Sequence, residues 1–147
     1  MFRSFMPDAL AEARAAAARG EVPVGAVVSR GGDVLARAGN RCRERADPTA
    51  HAETLAIRDA CAAMQSERLE GCTLWVTLEP CAMCAGAVAA ARLDRLVYSA
   101  ADPKSGGVTV GARVLDRPQA HHRVEVIGGV MEAEASALLR AFFAGRR

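Results

Sequence analysis

Two helix starts, far apart in the chain and both carrying metal-binding side chains, restrict the fold more than any other feature of this sequence. In DPTAHAETLA an Asp-Pro-Thr turn signal runs straight into His51 and Glu53. In TLEPCAMCAGA an apolar strand pattern stops at Glu79-Pro80 and gives way to a small-residue helix bearing Cys81 and Cys84. Positions 81 and 84 stand i,i+3, so both sulfurs point to one side of the helix. The helix N-terminus favours negative charge and therefore thiolates. Alone, a Cys-x-x-Cys pair reads as a redox pair, half of a zinc knuckle or an incidental spacing. A four-cysteine structural site wants a second such pair, which the chain lacks, and a redox pair has no use for a distant His-x-Glu. With His51 the two cysteines supply three protein ligands for a tetrahedral zinc ion, leaving the fourth position for water, as in catalytic sites. His51 and Glu53, two residues apart, do not share a helix face. One can bind the metal while the other lies beside the water and moves protons.

Around these stretches the pattern alternates. Pro7 and Asp8 suit a first helical turn and Gly20 its far end, with Met6, Ala9, Leu10, Ala13 and Ala17 as the apolar stripe. VPVGAVVS, the turn RGGD and VLARAG predict a hairpin over about residues 23–39. The polar loop NRCRERADPT leads to a helix from His51 to Met64. TLWVTL is a strand, CAMCAGAVAAARL a helix, RLVYSA a strand, DPKSGGVTVGARVLDRPQA a loop with room for one helical turn, RVEVIGG a last strand, and Glu132 to Phe143 a last helix. Strands alternating with helices predict an α/β sandwich with one central sheet covered on both faces. The 147 residues suffice for one domain, 1–147, with a sizeable core. Aromatics are only 4%, so that core rests on Val, Leu, Ile and Ala, with Cys61 and Cys72 as small core residues and Cys42 unassigned.

The formal charge of +2 neither requires nor excludes a polyanionic partner. No stretch has the roughly 18 uninterrupted apolar residues of a membrane span. Asp8 and Glu12 mark the N-terminal stretch as a first helix and not a targeting signal. An odd cysteine count, five, and no secretory leader predict a reducing cytoplasm over a disulfide scaffold.

His-x-Glu followed by Pro-Cys-x-x-Cys is the signature of zinc deaminases. The run from EVPVGAVV through GNR, DPTAHAE, TLEPCAMCAGA and DPKSGG to LLRAFFAGRR resembles bacterial tRNA-specific adenosine deaminases of the cytidine deaminase-like superfamily over nearly the whole chain. The resemblance implies a three-layer α/β/α sandwich with a mixed five-stranded central sheet, a homodimer, and one zinc ion per chain. It implies conversion of the wobble adenosine of a tRNA anticodon to inosine. By position, His51, Cys81 and Cys84 are the ligands and Glu53 the acid/base. Asn40 in GNR matches the family asparagine that hydrogen-bonds the flipped nucleoside. Asp102 and Lys104 fall in the loop used near the substrate ribose and backbone. The chain departs from the family pattern in two places. It has His121-His122-Arg123 for Asn-His-Arg, and GGVTVGARVL for GAVGSL.

For the anticodon loop, the C-terminal segment offers Phe142, Phe143, Arg140, Arg146 and Arg147. The phenylalanines read equally as RNA-stacking faces or, with Leu138 and Leu139, as a core stripe; Arg146 and Arg147 read as RNA contacts. Three other readings compete. A deaminase of guanine or another free nucleobase or nucleoside would keep the same zinc and Glu53 behind a closed pocket. A non-catalytic subunit of an RNA-binding heterodimer would lack the glutamate that stands at position 53. A purely structural zinc protein would fill the fourth ligand position.

Overall fold

The structure, a computed structural model, describes residues 3–120 and 122–146; His121 and Arg147 lie outside the described residues. Five strands form one sheet in the order β2-β1-β3-β4-β5. They are β1 Gly25–Arg30, β2 Asp33–Gly39, β3 Cys72–Leu78, β4 Arg95–Ala100 and β5 Glu125–Ile127. β1 runs antiparallel to both β2 and β3, whereas β3, β4 and β5 are mutually parallel. The sheet is therefore mixed, as the family resemblance implies.

Helices cover both faces. α1 (Met6–Ala18) and α5 (Glu132–Ala144) lie on one side, over a core of Phe5, Met6, Leu10, Val27, Trp75, Val97 and Ala135. α3 (Ala52–Met64) and α4 (Ala82–Ala90) lie on the other, over Val28, Leu55, Leu74, Val76, Val88 and Leu96. α1 buries Met6, Ala9, Leu10, Ala13 and Ala16. Ala16 takes the place expected of Ala17, because the contact stripe winds with the 3.6-residue period. This alanine stripe lets the helix lie directly on the sheet: a Cβ at Gly25 would strike the Ala9 and Ala13 backbone, and one at Gly39 would come within 2.8 Å of the Glu12 carbonyl.

Two elements differ from expectation. Within the polar loop the chain forms a single turn, α2 (Cys42–Arg45). It is too short to show a period in sequence. It is held from outside by Glu21, whose carboxylate accepts the Arg43 and Glu44 N–H groups at 3.1 and 2.9 Å. The last strand is shorter than RVEVIGG. β5 is an edge strand, and it ends where a Cβ at Gly128 would run into the Tyr98 ring.

The topology sets up the site. β2 and β3 are not neighbours, yet both run antiparallel to β1 and therefore end at the same edge, with Gly39 opposite Gly25 and Val76 opposite Ala26. α3 follows β2 by way of α2, and α4 follows β3. The N-termini of both helices emerge together there, at the carboxyl end of the parallel strands, where open α/β sheets bind ligands.

Candidate metal and deamination site

His51 is the N-cap of α3 and Cys81 the N-cap of α4, both in extended backbone conformation (ψ 153° and 175°). An N-cap side chain is not yet wound into the helix and can swing across its end. Neither caps its own helix through a side-chain hydrogen bond. Both turn to each other instead: His51 Nδ1 lies 3.4 Å from Cys84 Sγ and 3.7 Å from Cys81 Sγ. The three donor atoms all lie within 4.8 Å of one another. Zinc–nitrogen and zinc–sulfur bonds of roughly 2.0 and 2.3 Å at a tetrahedral angle require N···S separations of about 3.5 Å. The donors stand where a tetrahedral zinc ion would hold them. No other group of three such residues is close enough to share a metal ion among the described residues.

The electrostatics agree. The Cys84 thiol and then His51 hydrogen-bond to Cys81 and hold its pKa down to about 3, so it stands as a thiolate. Cys84, buried and donating to Cys81, is pushed far up. His51 is raised, chiefly by its hydrogen bond with Cys81. A divalent cation can take the place of the proton that these groups share. Glu53 sits in the first turn of α3, only 4% exposed. Burial raises its pKa to about 7, although His51 nearby and the Cys84 thiol favour the carboxylate. A carboxyl titrating near neutrality beside a metal triangle suits proton transfer in both directions.

Asn40 closes the β2 end of the site. Its Oδ1 accepts the Ala52 N–H at 2.7 Å, tying the start of α3 to the sheet. Its amide NH₂ makes no hydrogen bond among the described residues and remains available as a donor. Asp102 shapes its own turn, with Oδ1 accepting the backbone N–H groups of Lys104 and Ser105 at 3.1 and 3.0 Å. The Lys104 side chain is exposed.

The remaining predicted contacts lie elsewhere. α5 packs on β4, β3 and α1, on the face opposite α3 and α4. Of its two phenylalanines, Phe142 is 8% exposed and Phe143 51%. The rings meet edge to face, and the Arg146 guanidinium lies 3.7 Å over the Phe142 ring while donating to the Phe142 carbonyl. Phe142 thus takes the packed reading and Phe143 the free aromatic face. His121 falls outside the described residues; its neighbour His122 hydrogen-bonds the Leu93 carbonyl at 2.8 Å.

The sequence marks Glu79 only as the end, with Pro80, of an apolar strand, and assigns it no role in the site. It is 2% exposed. Burial alone would raise its pKa, but backbone N–H groups of Thr109, Asp102 and Val108 outweigh burial and lower it. The available signal was a charge placed directly between a buried strand and the Pro-Cys helix start.

Comparison with known proteins gives a consistent picture. Residues 2–147 match the family of MafB19-like deaminases. A tRNA-specific adenosine deaminase of Agrobacterium fabrum is 52% identical over 143 residues, covering 97% of this chain and 94% of that protein. A structure solved in work on A-to-I editing by tRNA:A34 deaminases at the wobble position of transfer RNA superposes with a TM-score of 0.90 at 52% identity, covering 92% of this chain and 98% of that one. A guanine deaminase from Nitrosomonas europaea superposes with a TM-score of 0.83 at 28% identity, covering 95% and 82%.

Proposed function

The chain belongs to the MafB19-like deaminases and, among them, to the tRNA-specific adenosine deaminases, and from that premise we propose that it converts the wobble adenosine of a tRNA anticodon to inosine by hydrolysis. The observation that carries the reading is a buried carboxyl, Glu53, beside a His51–Cys81–Cys84 triangle of zinc dimensions.

His51, Cys81 and Cys84 would hold a zinc ion, which would supply the Lewis acidity that lowers the pKa of a water to about 7. Glu53 takes a proton from the attacking water and gives it to adenine N1. As the water oxygen bonds to C6, Glu53 is left ionised; it then takes the proton remaining on that oxygen and delivers it to the amino group, whose C6–N bond breaks to release ammonia and leave a C6 carbonyl. Glu53 is itself buried at 4% exposed, whereas His51 and Cys81 are part-exposed, so substrate can approach the triangle with Glu53 as the proton carrier beside it. The Asn40 amide donates to the flipped nucleoside. Asp102, Lys104, His121, Phe143 and Arg146 serve the ribose, backbone and flanking bases of the anticodon loop.

The whole chain, 1–147, acts as one domain in the cytoplasm. Among the described residues no helix is long and apolar enough to cross a membrane. The protein works as a homodimer. A mostly apolar groove runs between α4, which contributes the small residues Gly86, Ala89 and Ala90, and Val114 and Ala120, with Arg92 and Arg117 at its sides, a surface on which another helix can pack closely.

The test offers an anticodon stem-loop with A at the wobble position alongside free adenine, adenosine, guanine and cytosine, and reads products by mass spectrometry. Inosine in the RNA alone is expected. Xanthine from guanine with untouched RNA overturns the reading.

A further inference from the structure

The segment that follows β4 lies across the start of α4. The Gly107 N–H donates to the Pro80 carbonyl at 2.9 Å. A Cβ on Gly107 would stand 2.5 Å from the Ala82 nitrogen, and one on Gly106 would stand 2.7 Å from the Glu79 carboxylate. Two glycines thus allow this loop to lie in backbone contact with the residues on either side of Cys81. What holds it there is Glu79. Its Oε1 accepts the Asp102 N–H at 3.1 Å. Its Oε2 accepts the Val108 N–H at 3.2 Å, the Thr109 N–H at 2.8 Å and the Thr109 hydroxyl at 3.1 Å. A buried carboxyl group that accepts four donors is strongly committed, because any donor left unmatched carries a desolvation cost.

Resting on the deaminase reading above, we propose that Glu79 is a positioning residue for the substrate. Its carboxylate pins both ends of the Asp102–Thr109 segment to the zinc-ligand helix, so that the Asp102–Lys104 turn stands as a fixed wall against which the RNA docks. Glu79 touches no reacting atom. Its role is to make the wall rigid before binding, so that ordering the loop does not subtract from affinity. It acts on binding that is common to ground and transition states, which changes KM and leaves kcat.

Glu79→Gln keeps the volume and replaces one acceptor oxygen by an NH₂ group. Whichever way the amide turns, NH₂ then faces N–H donors. Three measurements test the idea: hydrogen exchange of the 102–109 amides, zinc per chain, and kcat and KM on the stem-loop RNA. The Asp102, Val108 and Thr109 amides should lose protection, zinc should stay at the wild-type ratio, and KM should rise about tenfold or more with kcat within about threefold. Unchanged exchange overturns the clamp. Faster exchange with unchanged KM overturns the link to substrate. Lost zinc with a fall in kcat alone shows that Glu79 merely supports Cys81, and this also overturns it. Should Glu79→Gln fail to fold, Thr109→Val decides, since it removes only the hydroxyl bond. KM should then rise about threefold, and an unchanged KM refutes the proposal. A wild-type protein that leaves RNA untouched defeats the substrate reading, while protected 102–109 amides that open in Glu79→Gln still support the clamp.

Discussion

Glu53→Gln separates what the buried carboxyl does for chemistry from what it does to stability. The side chain is 4% exposed and its pKa rises from 4.5 to about 7. For an acid, a raised folded pKa means that the native state holds its proton more tightly than the unfolded chain. The native state is therefore favoured most below pH 4.5, and that advantage falls away as pH rises to about 7. A shift of roughly two to three units corresponds to about 3 kcal/mol of penalty on the alkaline side. Glutamine has the same shape and no charge to desolvate. Metal-depleted Glu53→Gln should therefore unfold at higher denaturant than metal-depleted wild type at pH 8, by up to about 3 kcal/mol, with the difference shrinking towards pH 4.5. In the zinc-loaded protein the same substitution should lower kcat by about 10²- to 10⁴-fold, the usual worth of a positioned acid/base, with zinc retained. Denaturant melts across pH, metal analysis and inosine formation read the three quantities. A near wild-type rate refutes the proton-transfer role, and a stability difference that does not vary with pH refutes the argument from burial.

Other perturbations give distinct signatures. Cys84→Ser should drop zinc well below one ion per chain by metal analysis, because a hydroxyl replaces a thiolate in the triangle. Glu21, buried but relieved by the Glu44 and Arg43 N–H groups, has its pKa lowered. Its contribution is present above the unfolded value near 4.5 and is lost as pH falls through the folded one, so Glu21→Gln should flatten the acid limb of a stability–pH curve and destabilise the neutral protein by about 1.5–3 kcal/mol. Phe142→Ala should cost about 3 kcal/mol in denaturant melts, whereas Phe143→Ala, 51% exposed, should leave stability nearly unchanged and weaken stem-loop binding in a filter assay.

The elements legible in the sequence are those whose stabilising contacts repeat along the chain. The hairpin expected over 23–39 appears as β1 and β2, and the helix expected from His51 appears one residue later, with His51 as its cap. Both signals are periodic and local. α2 was not legible because the group that holds it is Glu21, outside the loop it organises. Phe142 and Phe143 could not be told apart because adjacent helical positions differ only in which neighbour they meet, and sequence does not carry that. The metal triangle was legible because ligand chemistry restricts residue type and spacing more tightly than packing does. Glu79 was not, since its four partners come from a loop whose path only the fold reveals.

The same topology makes metal binding and sheet register depend on each other. His51 is carried by the chain leaving β2 and Cys81 by the chain leaving β3, and the two are aligned only through β1, which pairs with both. A slip of one residue in either pairing would displace one helix start by about 3.4 Å along the strand and turn its side chains to the other face. Ligand distances tolerate about 0.2 Å. A slipped sheet could not place His51 Nδ1 at 3.4 Å from Cys84 Sγ, so an ion held by this triangle would bind one register and add its free energy to that register alone. The register shift opposite Val28 and Ser29 belongs to the same account: Leu35 of β2 is the extra residue, and a bulge there pins β2 against sliding along β1 while the β1–β3 pairing runs on unbroken.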